Sequence, residues 1–156
     1  MHFGPHACVS LALHRYCDVP LFIGVNIAID IEPLLVMVFN PNSPLHGLSH
    51  TLLFGGIIGL LLAAAAYPLR HRIQKAMRNL GLPHSPTFAK MALSGVTGAW
   101  LHIFFDAPLY HDIKPLYPLE TNPLLGLVPS GAITGLSAAC FVPAMLFYAY
   151  RARRAD

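Results

Sequence analysis

The chain has 156 residues, the length of a single domain, of which 55% are hydrophobic and 11% charged. That balance excludes an ordinary soluble domain. The formal net charge of +3 does not indicate a nucleic-acid binder, because the basic residues flank apolar segments and are not interleaved with aromatic residues as a reading surface. Uncharged runs at 51–69 and 121–150 are each long enough to cross a hydrocarbon core about 30 Å thick. We therefore expect one membrane-embedded helical domain over residues 1–156.

Hydropathy predicts an all-α bundle of about five helices, the first of them short. Their approximate ranges are 4–16, 19–39, 48–69, 87–105 and 124–150. The connections are a short turn at 40–47, a basic loop between the third and fourth helices, and a proline-rich loop after the fourth. No cleavable signal is expected, because no basic segment precedes the first apolar stretch.

The second predicted helix carries two carboxylates in the sequence "DIEP". Asp30 and Glu32 are two residues apart, so a regular helix would point them to nearly opposite sides. Pro33 follows, and a residue before proline avoids helical backbone angles. A break at this point could turn both carboxylates inward.

Two pairs spaced four residues apart suggest a metal site. His46 and His50 precede the apolar run of the third helix, and His102 and Asp106 end the fourth. Residues at this spacing on a helix share one face, and imidazole with carboxylate suits zinc, manganese or iron. The alternative for the histidines is an interfacial pair wetted by lipid head groups. A further histidine, His2, stands in the opening "HFGPH".

The basic residues predict the orientation of the bundle. Nine of the ten are Arg15, Arg70, Arg72, Lys75, Arg78, Lys90, Arg151, Arg153 and Arg154. If these face the cytoplasm, the helices alternate consistently, with the amino terminus outside, the carboxyl terminus inside and Lys114 alone on the outer side. All the polar groups above then fall in the outer half of the membrane. Because a charge at that depth needs a partner or a wet cavity, we expect one shared site.

Other residues remain open at this point. His111 lies five residues past Asp106 and is a further candidate for the site, and Asp112 and Lys114 beside it could help hold an anionic substrate. Glycines in "GAITG" have the small-residue spacing of closely packed helices, which also allows a homo-oligomer.

At these motifs the chain resembles the YdjM-like family of bacterial membrane-bound proteins, described as metal-dependent hydrolases. The resemblance covers most of the chain and matches the "HFGPH", "DIEP", "HGLSHT" and "HIFFD" elements. It implies a multi-pass protein of the bacterial inner (plasma) membrane. Glu32 departs from the aspartate of the commoner family pattern.

The leading interpretation is hydrolysis at a centre of one or two divalent ions, with zinc favoured and manganese or iron possible. The candidate ligands are His2, Asp30, Glu32, His46, His50, His102, Asp106 and His111. Metal-activated water would attack an ester or phosphoester of a lipid-like or membrane-delivered substrate, with Asp30 or Glu32 as base. The alternative is a protein that binds or transports divalent metal without hydrolysis, although the inner half lacks the polar groups that transport needs. Iron-dependent lipid oxidation ranks third.

Overall fold

The computed structural model describes residues 17–80 and 84–152, and within those ranges it is helical with no β-strand. The helices are α1 Val19–Phe39, α2 Leu52–Ala66, α3 Arg70–Asn79, α4 Phe88–Asp106 and α5 Ser130–Ala152. Among the described residues, three segments are long and apolar enough to cross a membrane, namely α1, the continuous stretch Leu52–Asn79 and α4. The predicted first helix and His2 lie outside the described residues. The predicted all-helical fold is confirmed for the described part of the chain.

α1 has the bounds that the sequence predicts, but it is not broken at Pro33. Asp18 caps its amino terminus, where the carboxylate accepts a hydrogen bond from the Leu21 backbone N–H at 3.2 Å. The helix continues through Pro33 to Phe39, so the predicted break is wrong. Proline lacks the N–H that would bond the carbonyl four residues earlier, which leaves the Ile29 carbonyl available to another donor.

The predicted third helix begins later than expected. Leu48–His50 forms a single 3-10 turn, and Thr51 then caps α2 by accepting from the Phe54 N–H at 3.2 Å. His46 precedes this turn in non-helical chain. The two histidines therefore do not share a helix face, and the premise of a helical pair is wrong.

The basic segment after α2 is helical rather than the predicted loop. A 3-10 turn at Tyr67–Leu69 leads directly into α3. Ile73 and Met77 lie one helical turn apart and pack against Val19 and Ile23 of α1. The four basic residues of this segment dominate its average hydropathy and obscure this narrow apolar face.

Small residues bring the long helices into close contact. A Cβ atom added at Gly59 of α2 would lie 2.5 Å from the carbonyl carbon of Gly95 in α4, so backbone meets backbone there. A Cβ atom at Gly98 would lie 2.8 Å from Val25 Cγ1 of α1. Close approach through glycine is the usual way apolar helices gain van der Waals contact in a membrane. α4 is thus held between α1 and α2.

The proline-rich loop after α4 folds back over one end of these helices. The Leu52 N–H donates to the Pro115 carbonyl at 2.9 Å, and the Asn122 side chain donates to the Ala107 carbonyl at 2.8 Å. Ile113 is fully buried against Ile103 of α4. The loop therefore covers the end of the bundle that contains His50 and Asp106.

Candidate metal centre

Four side chains from three segments converge beneath this loop. They are Asp30 of α1, His50 of the 3-10 turn, and His102 and Asp106 of α4. One potential ligand atom from each lies within 4.8 Å of the others, and each residue is at most 5% exposed. We call these four residues the polar cluster.

His102 stands at the centre of the polar cluster. Its Nε2 lies 3.4 Å from Asp30 Oδ1 and 3.4 Å from Asp106 Oδ2, while its Nδ1 lies 2.9 Å from Asn26 Oδ1. The Asn26 amide nitrogen donates to the Phe22 carbonyl, so its oxygen is the atom that faces the imidazole as an acceptor. The Nδ1 proton of His102 therefore points to Asn26, and Nε2 faces the two carboxylates. A cation between these three atoms, a metal ion or a proton, would relieve their mutual repulsion.

His50 is oriented in the same manner by a chain of polar groups. Its Nδ1 lies 3.0 Å from Ser49 Oγ, and the Ser49 hydroxyl in turn contacts Glu32 Oε2. Nδ1–H donating to the hydroxyl, with the hydroxyl donating to the carboxylate, satisfies both contacts. His50 Nε2 is then left with its lone pair, and among the described residues it is buried without a hydrogen-bond partner.

Ser49 lies beside a carbonyl of α1 that has no helical N–H. Its hydroxyl oxygen is 3.2 Å from the Ile29 carbonyl oxygen, which Pro33 deprives of that donor, while its proton is directed at Glu32. Glu32 holds the same segment by accepting from the backbone N–H groups of Gly47 at 3.2 Å and Ser49 at 3.0 Å. The "DIEP" element thus places Asp30 in the polar cluster and uses Glu32 to fix the turn that carries His50.

The donor set fits a divalent transition metal. Two imidazole nitrogens and two carboxylates are the ligand types that zinc, manganese and iron take in proteins. His50 Nε2 and Asp106 Oδ1 are both buried with no hydrogen-bond partner among the described residues, an expensive condition that a bound cation would remove. Burial lowers the pKa of His50, and the nearby Glu32 only partly opposes this effect, so the imidazole is held in the neutral form that binds metal.

His46 lies beside the polar cluster but is not one of its four residues. Its ring centroid is 4.5 Å from that of His50 and 4.4 Å from that of Tyr110. Asp112 fixes it with both oxygens, accepting from the His46 backbone N–H at 3.0 Å and pairing with Nδ1 at 2.9 Å. Burial raises the pKa of Asp112, but these two bonds lower it by more, so the pKa falls below its ordinary value.

A cavity of about 380 Å³ opens beside His46. The residues that line it include Pro44, His46, Leu48, Asp112, Lys114 and Tyr117. His46 links this space to the polar cluster, because its ring also contacts that of His50. The cavity is named the outer cavity below.

The remaining predicted ligands take different positions. Glu32 faces the 47–49 segment, and its Oε2 lies 3.9 Å from His50 Nδ1. His111 is exposed on the loop after α4. Sequence reasoning missed Asn26 and Ser49 as orienting residues, although Asn26 stands four residues before Asp30 on an apolar helix, a spacing that could have signalled it.

A second buried pair lies at the opposite end of the helices. His84 Nε2 is 2.8 Å from Asp18 Oδ2, and the Asp18 N–H donates to Ser94 Oγ at 2.7 Å. Gln74 of α3 donates to the His84 carbonyl at 2.9 Å. These contacts join α1, α3 and α4, which is a structural function.

Comparisons with family models, with curated proteins and with solved structures found no match to this chain.

Proposed function

We propose that this chain is a membrane-bound, metal-dependent hydrolase whose centre is the polar cluster. The observation that supports this most is the convergence of two imidazole nitrogens and two carboxylates, with buried ligand atoms on His50 and Asp106 that have no other partner among the described residues. Membership of the YdjM-like family belongs to the same proposal, and three of its four motif elements meet at this end of the bundle.

A divalent ion in the cluster would acidify water and polarise the bond to be cleaved. His50, His102 and Asp106 would hold the ion, while Asn26 and Ser49 keep both Nε2 atoms directed at it. Asp30 is the proposed base, because Glu32 is already engaged by two backbone N–H groups and a hydroxyl. The proposed ion is zinc, and one ion would occupy the polar cluster.

The proposed topology places this centre near the outer face of a bacterial inner membrane. α3 and Lys90 carry their basic residues at the end of the helices opposite the polar cluster, as the enrichment of Lys and Arg in cytoplasmic loops requires. The proposed substrate is an ester or phosphoester of a lipid-like molecule that approaches from this face. The carboxyl terminus would be cytoplasmic.

The second candidate is a protein that binds divalent metal without hydrolysis. The burial of the cluster favours it, since all four residues are almost inaccessible. The outer cavity favours hydrolysis, because a storage site has no use for a space that reaches within one side chain of the ligands.

The test is elemental analysis of detergent-purified protein. The wild type is compared with His50→Ala, Asp106→Asn and the control His71→Ala, which changes an exposed histidine on α3. We expect about one equivalent of metal in the wild type and control and a loss of most of it in the two cluster variants. Equal metal in all four proteins would refute the site.

The metal found then selects the activity assay. Zinc or manganese calls for chromogenic carboxylic and phosphoric esters, and iron calls for an oxidation assay. A metal-replete protein with no ester or phosphoester hydrolysis would leave the binding protein as the better interpretation.

A further inference from the structure

One lysine lines the outer cavity, and its ammonium group is available for an anion. Lys114 lines this space, and its side chain is 44% exposed. Its partner is Glu120 at 3.5 Å, whose side chain is 84% exposed. Ion pairs this exposed contribute little to stability, so an anion in the cavity can replace Glu120 at little cost.

The second charged group of the cavity is already occupied. Asp112 directs both carboxylate oxygens at His46, through the backbone N–H and the imidazole. Lys114 is therefore the charged group left to select what enters. It is also the single lysine or arginine between positions 91 and 150, and none lies between 16 and 69. An anion approaching this end of the helices finds no other lysine or arginine in those stretches.

Apolar side chains accompany the charge. Leu48 and Tyr117 line the cavity and are 45% and 43% exposed, and the neighbouring Leu116 is 43% exposed. A free inorganic anion would leave this surface in contact with water, whereas a hydrocarbon chain would cover it. The Lys114 amine beside exposed leucine and tyrosine side chains suits an amphiphile, a molecule with an anionic head group and an apolar chain.

We propose that the outer cavity binds the head group of a phosphorylated amphiphile, with Lys114 as the recognising cation and Leu48, Leu116 and Tyr117 along its chain. The head group then lies against His46, whose ring contacts His50 of the polar cluster. This proposal deepens the proposed function by naming its substrate class, and it rests on that function for its biological purpose. Its binding step can be measured without turnover.

The experiment is calorimetric titration of the purified full chain in neutral detergent. Of the three probes, dihexanoyl phosphatidate carries both the phosphate head group and the acyl chains. Dihexanoylglycerol carries the chains alone, and inorganic phosphate represents the head group alone. Lys114→Met is compared with Lys90→Met, which removes a lysine at the opposite end of α4. Partition into micelles is common to all the proteins, so the difference between variants reports the site.

We expect phosphatidate to bind the wild type and Lys90→Met equally, and Lys114→Met at least about tenfold more weakly, the loss of a charge-assisted hydrogen bond. Glu120→Ala should bind it as tightly as the wild type or more tightly, because a competing carboxylate is gone. Equal binding by Lys114→Met, weaker binding by Glu120→Ala, or equal binding of dihexanoylglycerol would overturn the proposal. Phosphate alone binding as tightly as phosphatidate would overturn the role of the chain.

Metal analysis of the same preparations separates the two proposals. Lys114-dependent binding in a protein that holds no metal would refute the hydrolase and leave the head-group site standing. Full metal content together with phosphatidate binding that does not depend on Lys114 would refute the head-group site and leave the metal centre standing.

Discussion

Asn26 offers the sharpest test of how the polar cluster is oriented. Asn26→Leu keeps the size of the side chain and removes the oxygen that lies 2.9 Å from His102 Nδ1. The residue is 2% exposed, so water has little access to replace the lost acceptor. Loss of a partner that orients a ligating histidine costs about 10–100-fold in metal affinity, or about 1.4–2.7 kcal/mol. We expect the dissociation constant for zinc to rise by that factor.

The assay is competition for zinc against a chelating dye in detergent, with thermal unfolding measured on the same samples. Asn26→Asp keeps an acceptor for His102 but loses the N–H that donates to the Phe22 carbonyl, so it should recover part of the affinity lost in Asn26→Leu. Asn40→Leu, at the exposed carboxyl-terminal cap of α1, is the matched control and should bind normally. Unchanged affinity in folded Asn26→Leu, or equally weak binding by Asn26→Asp, would show that this amide does not orient a metal ligand.

Three further predictions concern stability. Gly59→Val should separate α2 from α4 and destabilise the protein by at least about 1–3 kcal/mol, whereas Gly135→Val, with nothing within 4 Å of its added Cβ, should have a much smaller effect in the same denaturation assay. Asp18→Ala and His84→Ala should each cost about 3–5 kcal/mol, the double variant less than the sum, with metal content unchanged; additive losses would contradict a direct pair. Asp112 has a folded pKa below its ordinary 3.8, so its contribution to stability is complete above about pH 4 and is lost as the pH falls through the lower folded value. Protection of the His46 backbone amide from hydrogen exchange, relative to its intrinsic rate, should rise as the pH increases through that range, and pH-independent protection would refute the anchor.

Periodicity and hydropathy predicted the long helices because these depend on local sequence. The bounds of α1 match the predicted 19–39, and α4 differs from the predicted 87–105 by one residue at each end. Hydropathy does not reveal α3, because charge outweighs its two packing residues. Hydropathy also does not locate the start of α2, because that start is set by the side-chain cap of Thr51. Local patterns of this kind identify elements better than their ends.

The candidate site was predicted in its residue types more than in its geometry. His50, His102, Asp30 and Asp106 meet as the sequence suggested, but by way of a 3-10 turn and an unbroken α1. The second carboxylate of "DIEP" was assigned to the metal, whereas it accepts from the backbone of a segment some fifteen residues away. Such a contact joins distant parts of the chain, and no periodicity within one helix can reveal it. Whether Glu32, His46, His111 or His2 also reaches a metal remains a prediction.

The order of the cluster residues along the chain has a consequence for biosynthesis. Asp30 is synthesised 72 residues before His102, so α1 would enter a bilayer carrying a carboxylate whose partners do not yet exist. A lone aspartate at the centre of a helix opposes insertion by roughly 2.5–3.5 kcal/mol, which the mean hydropathy of 2.0 in α1 is able to offset. Insertion would therefore leave Asp30 exposed to lipid or to the translocation machinery until α4 arrives. Truncated chains that end before α4 should be degraded by membrane proteases. Chains long enough to include α4 should resist this proteolysis.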